Sequence, residues 1–280
     1  MLLSSQLGFI YTPHKRAGYC FLLVSTLQDN SFITSISLAS VRLWLIKKEN
    51  NKINNVMNIC FDFDGPIIDV SERYYQAYIE SLKGIEKSKL NILEKSVFWE
   101  LKKNRISDFE IGLMTGLTLN ESVETAELRR SLNFKTNLFI HDKLFSDVSE
   151  VFTELTKRNI FFFIVTLRRN SHLNYAIKQF KLNKLIVPEK AFSVEDKKDF
   201  TNDIQEKYVL LVNAFNKLGI DQKETWMVGD SETDIHAGRL AKYSKVIGIA
   251  RGIRSREQLE TLKPDNIINS LTEIIGLLNS

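Results

Sequence analysis

The sequence predicts an α/β protein, in which a Rossmann-like parallel sheet forms the core and a helical domain is inserted into it. After Met57, short apolar runs alternate with longer amphipathic segments, and this alternation is typical of the strands and helices of a parallel sheet. The alternation stops over residues 71–144, which contain several helical patterns but no good strand. An interval of that length predicts a small second domain made of helices.

The predicted strands are short and strongly apolar. They are residues 57–63, 160–166, 190–194, 225–230 and 245–250, of which 190–194 is the weakest. The run IFFFIV in the second strand does not alternate between polar and apolar residues, as expected for a strand that is covered on both faces. Between the strands, residues 146–159 have helical periodicity because their apolar residues fall on one face: Val148, Val151, Phe152 and Leu155.

The position of the helical interval defines the domain boundaries. It comes directly after the first strand and its turn, so residues 57–70 and 145–280 are predicted to form the core and residues 71–144 the inserted domain. Residues 1–56 are poor in acidic residues, rich in Ser and Leu, and lack clear periodicity. We expect either a disordered leader or a translation start at Met57. An organellar transit peptide is the alternative, because transit peptides are also Ser-rich and acid-poor.

The composition is that of a globular protein and indicates neither nucleic acid nor a membrane as a partner. Hydrophobic residues make up 44% of the chain and charged residues 26%. The net charge of +4 arises in residues 1–56, so the rest of the chain is balanced and has no broad basic surface. The apolar stretch 19–27 is too short to span a bilayer. Because Cys20 and Cys60 form no disulfide framework, we expect a cytoplasmic protein, or an organellar one if a transit peptide is present.

Several predicted strands end in carboxylates or in a hydroxyl group. Asp62 and Asp64 follow the first strand, and Thr166 ends the second. Asp230 and Asp234 follow the fourth. Ligands of open α/β sheets bind beyond the carboxyl ends of the strands, so these side chains are expected to converge if the strands are neighbours. Such a site, rich in oxygen ligands, suits Mg²⁺, which prefers carboxylates, waters and substrate phosphate.

Four segments, taken in order, resemble the motifs of the haloacid-dehalogenase-like (HAD) hydrolases. They are DFDGPIID, FFIVTLRRN, a lysine before a helix, and VGDSETDIHAGRLA. The resemblance covers residues 57–280 and places residues 71–144 at the position of the family's helical cap. The C-terminal part resembles phosphoglycolate-phosphatase-like members. The resemblance implies a Mg²⁺-dependent phosphatase that hydrolyses a small phosphorylated metabolite, with phosphoglycolate as one candidate substrate.

The resemblance also implies roles for individual residues. Asp62 would be the nucleophile that forms an aspartyl-phosphate, and Asp64 would protonate the leaving alcohol and then deprotonate a water. Mg²⁺ would be held by Asp62, by the main-chain carbonyl of Asp64 and by Asp230, with Asp234 supporting it through water. The phosphoryl oxygens would be bound by Thr166 and by the backbone after Asp62, at Gly65.

The assignments of the basic residues leave alternatives open. Lys207 is the candidate for the family's lysine, because it opens a helix with a broad apolar face twelve residues before Gly219. Lys197 and Lys198 compete with it for this role. Arg168 and Arg169 are either surface charges or ligands of a substrate carboxylate or second phosphate, which an arginine binds in bidentate fashion.

Two other functions stay open at this level. A sugar-phosphate mutase uses the same four motifs, and a non-catalytic binding module could keep the same fold. The intact acidic residues argue against the binding module, and dehalogenation is disfavoured because family dehalogenases lack the second carboxylate, Asp64. Nothing in the sequence indicates the oligomeric state or the substrate.

Overall fold

In the computed structural model, which describes residues 57–86, 88, 90–196 and 201–279, six strands form a parallel sheet. They are β1 (Asn58–Phe61), β4 (Phe161–Arg169), β5 (Ala191–Val194), β6 (Thr225–Gly229), β7 (Lys245–Ile249) and β8 (Asn266–Ile268). Their order is β5-β4-β1-β6-β7-β8, so β1 lies between β4 and β6. A separate antiparallel pair joins β2 (Ile68–Asp69) to β3 (Lys143–Leu144).

The sheet confirms the predicted fold class and extends it by one strand. Strand β8 was not predicted, because three residues are too few to show a periodicity, and only its pairing with β7 reveals it. Strand β4 is longer than predicted, since Arg169 pairs with Val194 of β5 and carries the strand past Thr166. Three features of the prediction lie outside the described residues: the leader 1–56 and the competing lysines Lys197 and Lys198.

Helices fill the connections between the strands. The predicted insertion contains α1 (Ser71–Ser81), α2 (Lys95–Lys103), α3 (Asp108–Met114) and α4 (Leu119–Leu132). The rest of the chain contributes α5 (Val148–Lys157), α6 (Asn170–Gln179), α7 (Asp203–Leu218), α8 (Glu232–Leu240), α9 (Arg256–Thr261) and α10 (Thr272–Leu277). None of the described helices is both long and apolar enough to cross a membrane.

Apolar layers cover both faces of the sheet. Successive residues of a strand point to opposite faces, so Ile59 and Phe61 of β1 join one layer and Cys60 joins the other. Helices α5, α6 and α10 pack on the first layer, and α7 and α8 pack on the second. This two-sided cover accounts for the unbroken apolar run in β4.

The inserted helices have an apolar cluster of their own. Its buried members are Tyr78, Leu82, Phe98, Ile111 and Leu117. The Tyr78 and Phe98 rings stack with their centroids 4.9 Å apart. Helix α3 begins with a capping box, in which Ser107 and Glu110 satisfy each other's backbone N–H groups. The helical segment 71–132 therefore buries apolar side chains independently of the sheet.

Phe152 of α5 is a sensitive point of the first layer. It is fully buried, and its ring centroid lies 5.2 Å from that of Phe61 and 4.5 Å from that of Phe162. We expect Phe152→Ala to lower the free energy of unfolding by about 3–5 kcal/mol, because it removes this contact and leaves a cavity. The measurement is chemical denaturation. Leu240→Ala, at a side chain that is 54% exposed, is the control and should change stability by no more than about 0.5 kcal/mol.

Candidate active site

Strand pairing brings Asp62 and Asp230 to the same edge of the sheet. Asp62 follows β1, and its backbone N–H donates to the carbonyl of Val228 in β6 at 2.9 Å, so the pairing continues one residue beyond the strand. Asp230 directly follows β6. The carboxyl ends of neighbouring parallel strands therefore deliver both carboxylates to one place, as the sequence predicts.

Three buried carboxylates meet at this edge. Asp62, Asp230 and Asp234 each offer an oxygen atom, and these atoms lie within 4.8 Å of one another. The exposed fractions of the three residues are 8%, 3% and 1%. Carboxylates so close and so deeply buried are unfavourable as ions unless positive charge offsets them. The cluster therefore has the chemistry of a cation site.

Lys207 supplies part of that positive charge from α7. Its ammonium Nζ lies 2.6 Å from Oδ1 of Asp62 and 2.9 Å from Oδ1 of Asp234, and the residue is 1% exposed. Burial by itself would lower the pKa of Lys207, but the charges of Asp234 and Asp62 outweigh it and raise the pKa above its usual value. The two carboxylates therefore favour the charged ammonium form of Lys207.

The positive charge of Lys207 does not fully offset the burial of Asp62 and Asp230. Burial raises the pKa of Asp62 to about 7, against the opposing effect of Lys207. Burial, together with the charges of Asp234 and Asp62, raises the pKa of Asp230 well above its usual value. Asp230 accepts a hydrogen bond from the backbone N–H of Ile253 at 2.5 Å, and no ion pair to it is found among the described residues. Asp230 is therefore a buried carboxylate without a positively charged partner among the described residues.

Glycines on two loops make space for the Asp230 carboxylate. Gly65 and Gly252 both approach it so closely that a Cβ atom on either would overlap the carboxylate group. Gly65 also has a φ of +97°, a conformation that residues with side chains rarely adopt. Gly252 was not singled out from the sequence. A glycine carries no chemistry of its own, and the contact joins residues on different loops.

Asp234 is held on both sides of its carboxylate. One oxygen faces Lys207, and the other, Oδ2, accepts hydrogen bonds from the Ser231 hydroxyl at 2.7 Å and the Ser231 backbone N–H at 3.2 Å. Together with the reciprocal bond from the Asp234 N–H, this forms a capping box at the start of α8. Gly229 permits the arrangement, since a Cβ there would overlap Asp234. The geometry suits a residue that orients Lys207.

Asp64 occupies a different electrostatic environment. Nη2 of Arg73 lies 3.0 Å from its Oδ2, and Nε of Arg168 lies 3.0 Å from its Oδ1. Burial alone would raise the pKa of Asp64, but the guanidiniums of Arg168 and Arg73 outweigh it and hold the pKa below its usual value. Arg73 was not predicted from the sequence, because a single arginine on a helical face gives no signal of its partner.

The structure places the other predicted residues as follows. The guanidinium of Arg168 lies between Asp64 and Asp142, with Nη2 2.6 Å from an Asp142 oxygen. Arg169 donates to the carbonyl of Asp196, and its guanidinium carbon lies 5.7 Å from the centroid of the Phe134 ring. Thr166 is buried, and its hydroxyl oxygen accepts a bond from the Arg168 N–H at 3.2 Å. Arg168 is thus occupied by carboxylates of the protein itself.

A cavity of about 720 Å³ opens onto these residues. The core contributes the residues of the predicted site: Asp62, Asp64, Thr166, Lys207, Asp230 and Asp234. The helical segment contributes Tyr74, Arg129 and Arg130. Arg254 of the core pairs with Glu232 at 2.6 Å and donates to the carbonyl of Lys102 in α2 at 3.3 Å. Both parts of the chain therefore enclose the cavity.

The fold and this carboxylate site define the class to which the protein belongs. A family model described as haloacid dehalogenase-like hydrolase matches residues 59–249. The chain therefore belongs to the haloacid dehalogenase-like hydrolases, as the four ordered motifs implied, and the prediction of a hydrolytic enzyme of this family is confirmed.

Known relatives cover most of the chain. Two proteins named pyrophosphatase PpaX, from Bacillus velezensis and Bacillus mycoides, are 25% and 23% identical to it over 230 and 236 residues. These matches cover 79% and 81% of this chain, and 96% and 98% of the two relatives.

Solved structures share the fold. A haloacid dehalogenase-like family hydrolase from Streptococcus pneumoniae has a TM-score of 0.61 and 16% identity, with 80% of this chain and 99% of that chain covered. A protein described as a predicted phosphoglycolate phosphatase from Haemophilus somnus has a TM-score of 0.59 and 19% identity, with the same coverage. At these identities the likeness concerns the fold alone.

The close approach of Gly252 to Asp230 can be tested directly. We expect Gly252→Ala to lower the free energy of unfolding by about 1–3 kcal/mol, because the added methyl group must displace a buried carboxylate. Gly276→Ala in α10 is the matched control, since nothing lies within 4 Å of the added atom, and alanine favours a helix by up to about 1 kcal/mol. Denaturant unfolding measures both variants. Equal stability of Gly252→Ala and the parent chain would contradict the described packing.

Proposed function

We propose that the protein is a Mg²⁺-dependent phosphatase that hydrolyses a small phosphorylated metabolite through an aspartyl-phosphate on Asp62. The strongest support is the charge of the cluster at the sheet edge. Among the described residues, three carboxylates and one ammonium meet there, so the cluster carries two net negative charges when all four groups are ionised. A divalent cation would offset both charges.

The residues present fit such a cation. Asp62 and Asp230 would hold it, together with the main-chain carbonyl of Asp64, and Asp234, which offers an oxygen to the same cluster, would support it. Asp230 has no ion-pair partner among the described residues, and the backbones of Gly65 and Gly252 pack directly against its carboxylate and hold it in place. When bound, Mg²⁺ supplies positive charge that offsets the carboxylates and the incoming phosphate together.

The side chains around Asp62 suit the two steps of hydrolysis. A carboxylate oxygen of Asp62 attacks phosphorus, and the bond from phosphorus to the leaving-group oxygen breaks as that oxygen takes a proton through Asp64. Because Arg73 and Arg168 keep Asp64 ionised in the resting site, this proton comes from the phosphate monoanion of the substrate, and Asp64 passes it to the leaving group. Asp64, ionised again, removes a proton from a water, which attacks the phosphoryl group and releases phosphate and free Asp62. Lys207 and Thr166 stabilise the charge on the phosphoryl oxygens, together with the backbone around Gly65.

The helical segment would act as a cap over this chemistry. We assign residues 71–144 to the cap, and residues 57–70 and 145–280 to the catalytic core. Tyr74 and Arg129 reach the cavity from the cap side, and the contact of Arg254 with Lys102 joins the two parts at the cavity. A cap in this position would exclude water during phosphoryl transfer and would contact the leaving group, so it would select the substrate.

Pyrophosphate is a second candidate substrate beside phosphomonoesters such as phosphoglycolate. The curated relatives named pyrophosphatase align over nearly their whole length with this chain. Pyrophosphate carries a second phosphoryl group, and Arg130, an exposed residue of α4, lines the same cavity as Asp62. Both candidates use the same nucleophile and differ only in the leaving group.

Metal dependence and the nucleophile are tested together on 4-nitrophenyl phosphate. We expect turnover with Mg²⁺ and loss of activity with EDTA that added Mg²⁺ restores. Asp62→Asn should lower kcat by at least about a thousandfold, because an amide cannot form the phosphorylated intermediate. Asp221→Asn, at an exposed carboxylate outside the cavity, is the control and should retain full activity. A wild-type chain without Mg²⁺-dependent turnover would leave the non-catalytic binding module as the better account.

The substrate class is tested by kcat/KM for pyrophosphate and for a panel of phosphomonoesters that includes phosphoglycolate. If the enzyme is a pyrophosphatase, kcat/KM for pyrophosphate should exceed kcat/KM for the best monoester by about tenfold or more. Arg130→Ala should then raise KM for pyrophosphate and leave KM for the monoester unchanged within about twofold, since losing a contact made only to the second phosphate weakens only the binding of pyrophosphate. The reverse order of kcat/KM values would identify a phosphomonoesterase.

A further inference from the structure

Asp64 is part of a closed ring of four charged side chains. Arg73 and Arg168 each contact it, and each also contacts a second carboxylate, Asp142. Nε of Arg73 lies 2.8 Å from Oδ1 of Asp142, and Nη2 of Arg168 lies 2.6 Å from Oδ2. Two guanidiniums thus bridge two carboxylates, and the ring is electrically neutral.

Asp64 is the most exposed member of the ring, and Asp142 is the member that does not line the cavity. Arg73, Arg168 and Asp142 are 4%, 6% and 3% exposed, whereas the side chain of Asp64 is 28% exposed. Asp64, Arg73 and Arg168 line the cavity. Burying charged groups is costly, and a buried ion pair seldom stabilises a protein more than apolar residues of the same volume would. What such a network does provide is a defined geometry for its members, here for the exposed one.

The segment that carries Asp142 holds both arginines in place. It is the connection that returns from the inserted helices to the core, and it contains the short 3₁₀ helix Thr136–His141. Phe139 of this helix is buried, and its ring centroid lies 5.2 Å from the guanidinium carbon of Arg73 and 5.3 Å from that of Arg168. One segment therefore supplies both an aromatic surface and a carboxylate to the two guanidiniums.

The arginines themselves come from different parts of the fold. Arg73 is in α1 of the inserted segment, where its Nη1 also donates to the carbonyl of Asn133 at 3.0 Å. Arg168 is in β4 of the core. A shared counter-ion is needed to keep the two guanidiniums side by side, because like charges at this distance repel each other. Asp142 contacts both guanidiniums and so adds a second shared counter-ion to Asp64.

We infer that Asp142 is a positioning residue, which orients the carboxylate of Asp64 through Arg73 and Arg168. The inference rests on the proposed function, in which Asp64 transfers the proton. Asp142 lies outside the residues that line the cavity and is not expected to touch the substrate. Its removal should therefore change proton transfer by Asp64 and leave substrate binding nearly unchanged.

The test compares Asp142→Asn with wild type in the full-length chain, with Mg²⁺, on phenyl phosphate and 4-nitrophenyl phosphate. We expect kcat on phenyl phosphate to fall by about tenfold or more, because phenolate needs a proton to leave. The loss should be smaller on 4-nitrophenyl phosphate, whose more stable leaving group depends less on the acid. KM should change by less than about threefold for both substrates.

Asp108→Asn is the matched control. Asp108 is also a mostly buried carboxylate between two cations, Lys102 and Arg129, but it has no contact with Asp64 among the described interactions. We expect thermal unfolding to show a comparable loss of stability in both variants, with kcat reduced only in Asp142→Asn. Equal kcat values for the two variants would overturn the inference and attribute the effect of Asp142 to stability alone.

A double-mutant cycle tests whether Asp142 acts through Asp64. In an Asp64→Asn background, adding Asp142→Asn should cause no further loss in the initial release of nitrophenol, and an undiminished additional loss would overturn the inference.

If Asp142→Asn does not fold, Arg168→Lys replaces it and should give the same dependence on leaving group, because one ammonium cannot bridge both carboxylates. An inactive wild type would overturn the proposed function. An active wild type with the same kcat as Asp142→Asn would overturn this inference only.

Discussion

The ammonium of Lys207, buried between Asp62 and Asp234, is the interaction on which the rest of the site depends. Three carboxylates in a buried cluster repel one another and lose hydration, and this lysine offsets one of the three charges. Its own desolvation is tolerated because two carboxylates raise its pKa. Without this cation, the three carboxylates would lack an ammonium to offset their charge.

The secondary structure is arranged so that this cluster can form. Placing β1 beside β6 delivers Asp62 and Asp230 to one edge, and α7, packed on one face of the sheet, brings Lys207 to them. The capping box at the start of α8 turns Asp234 toward the lysine. Two strands and two helices thus each contribute a charged residue to one buried cluster, which no single element could form by itself.

Asp62 and Asp64 are one residue apart but belong to separate charge networks. Asp62 shares an ammonium with Asp234 in a cluster that is net negative, whereas Asp64 sits in a neutral ring with two arginines. The first arrangement suits binding of a cation and attack on phosphorus. The second suits a carboxylate whose orientation is controlled. The separation lets two identical side chains take different parts in one reaction.

The sequence by itself determined the class of fold, the family and most of the residues at the sheet edge. Buried parallel strands require unbroken apolar runs, which are recognisable in the sequence. The carboxylates follow these runs directly in the chain, so they could be predicted with them. Lys207 was predicted from the broad apolar face of its helix, but the prediction that it opens the helix was wrong, since α7 begins four residues earlier at Asp203. Only the tertiary structure decided that Arg168 pairs with Asp64 and Asp142, that Arg73 joins them, and that Gly252 contacts Asp230. Those pairings join residues far apart in the chain. An ion pair or a close glycine contact leaves no periodic pattern in the sequence. Only the packed fold therefore decides which carboxylate each arginine or glycine contacts.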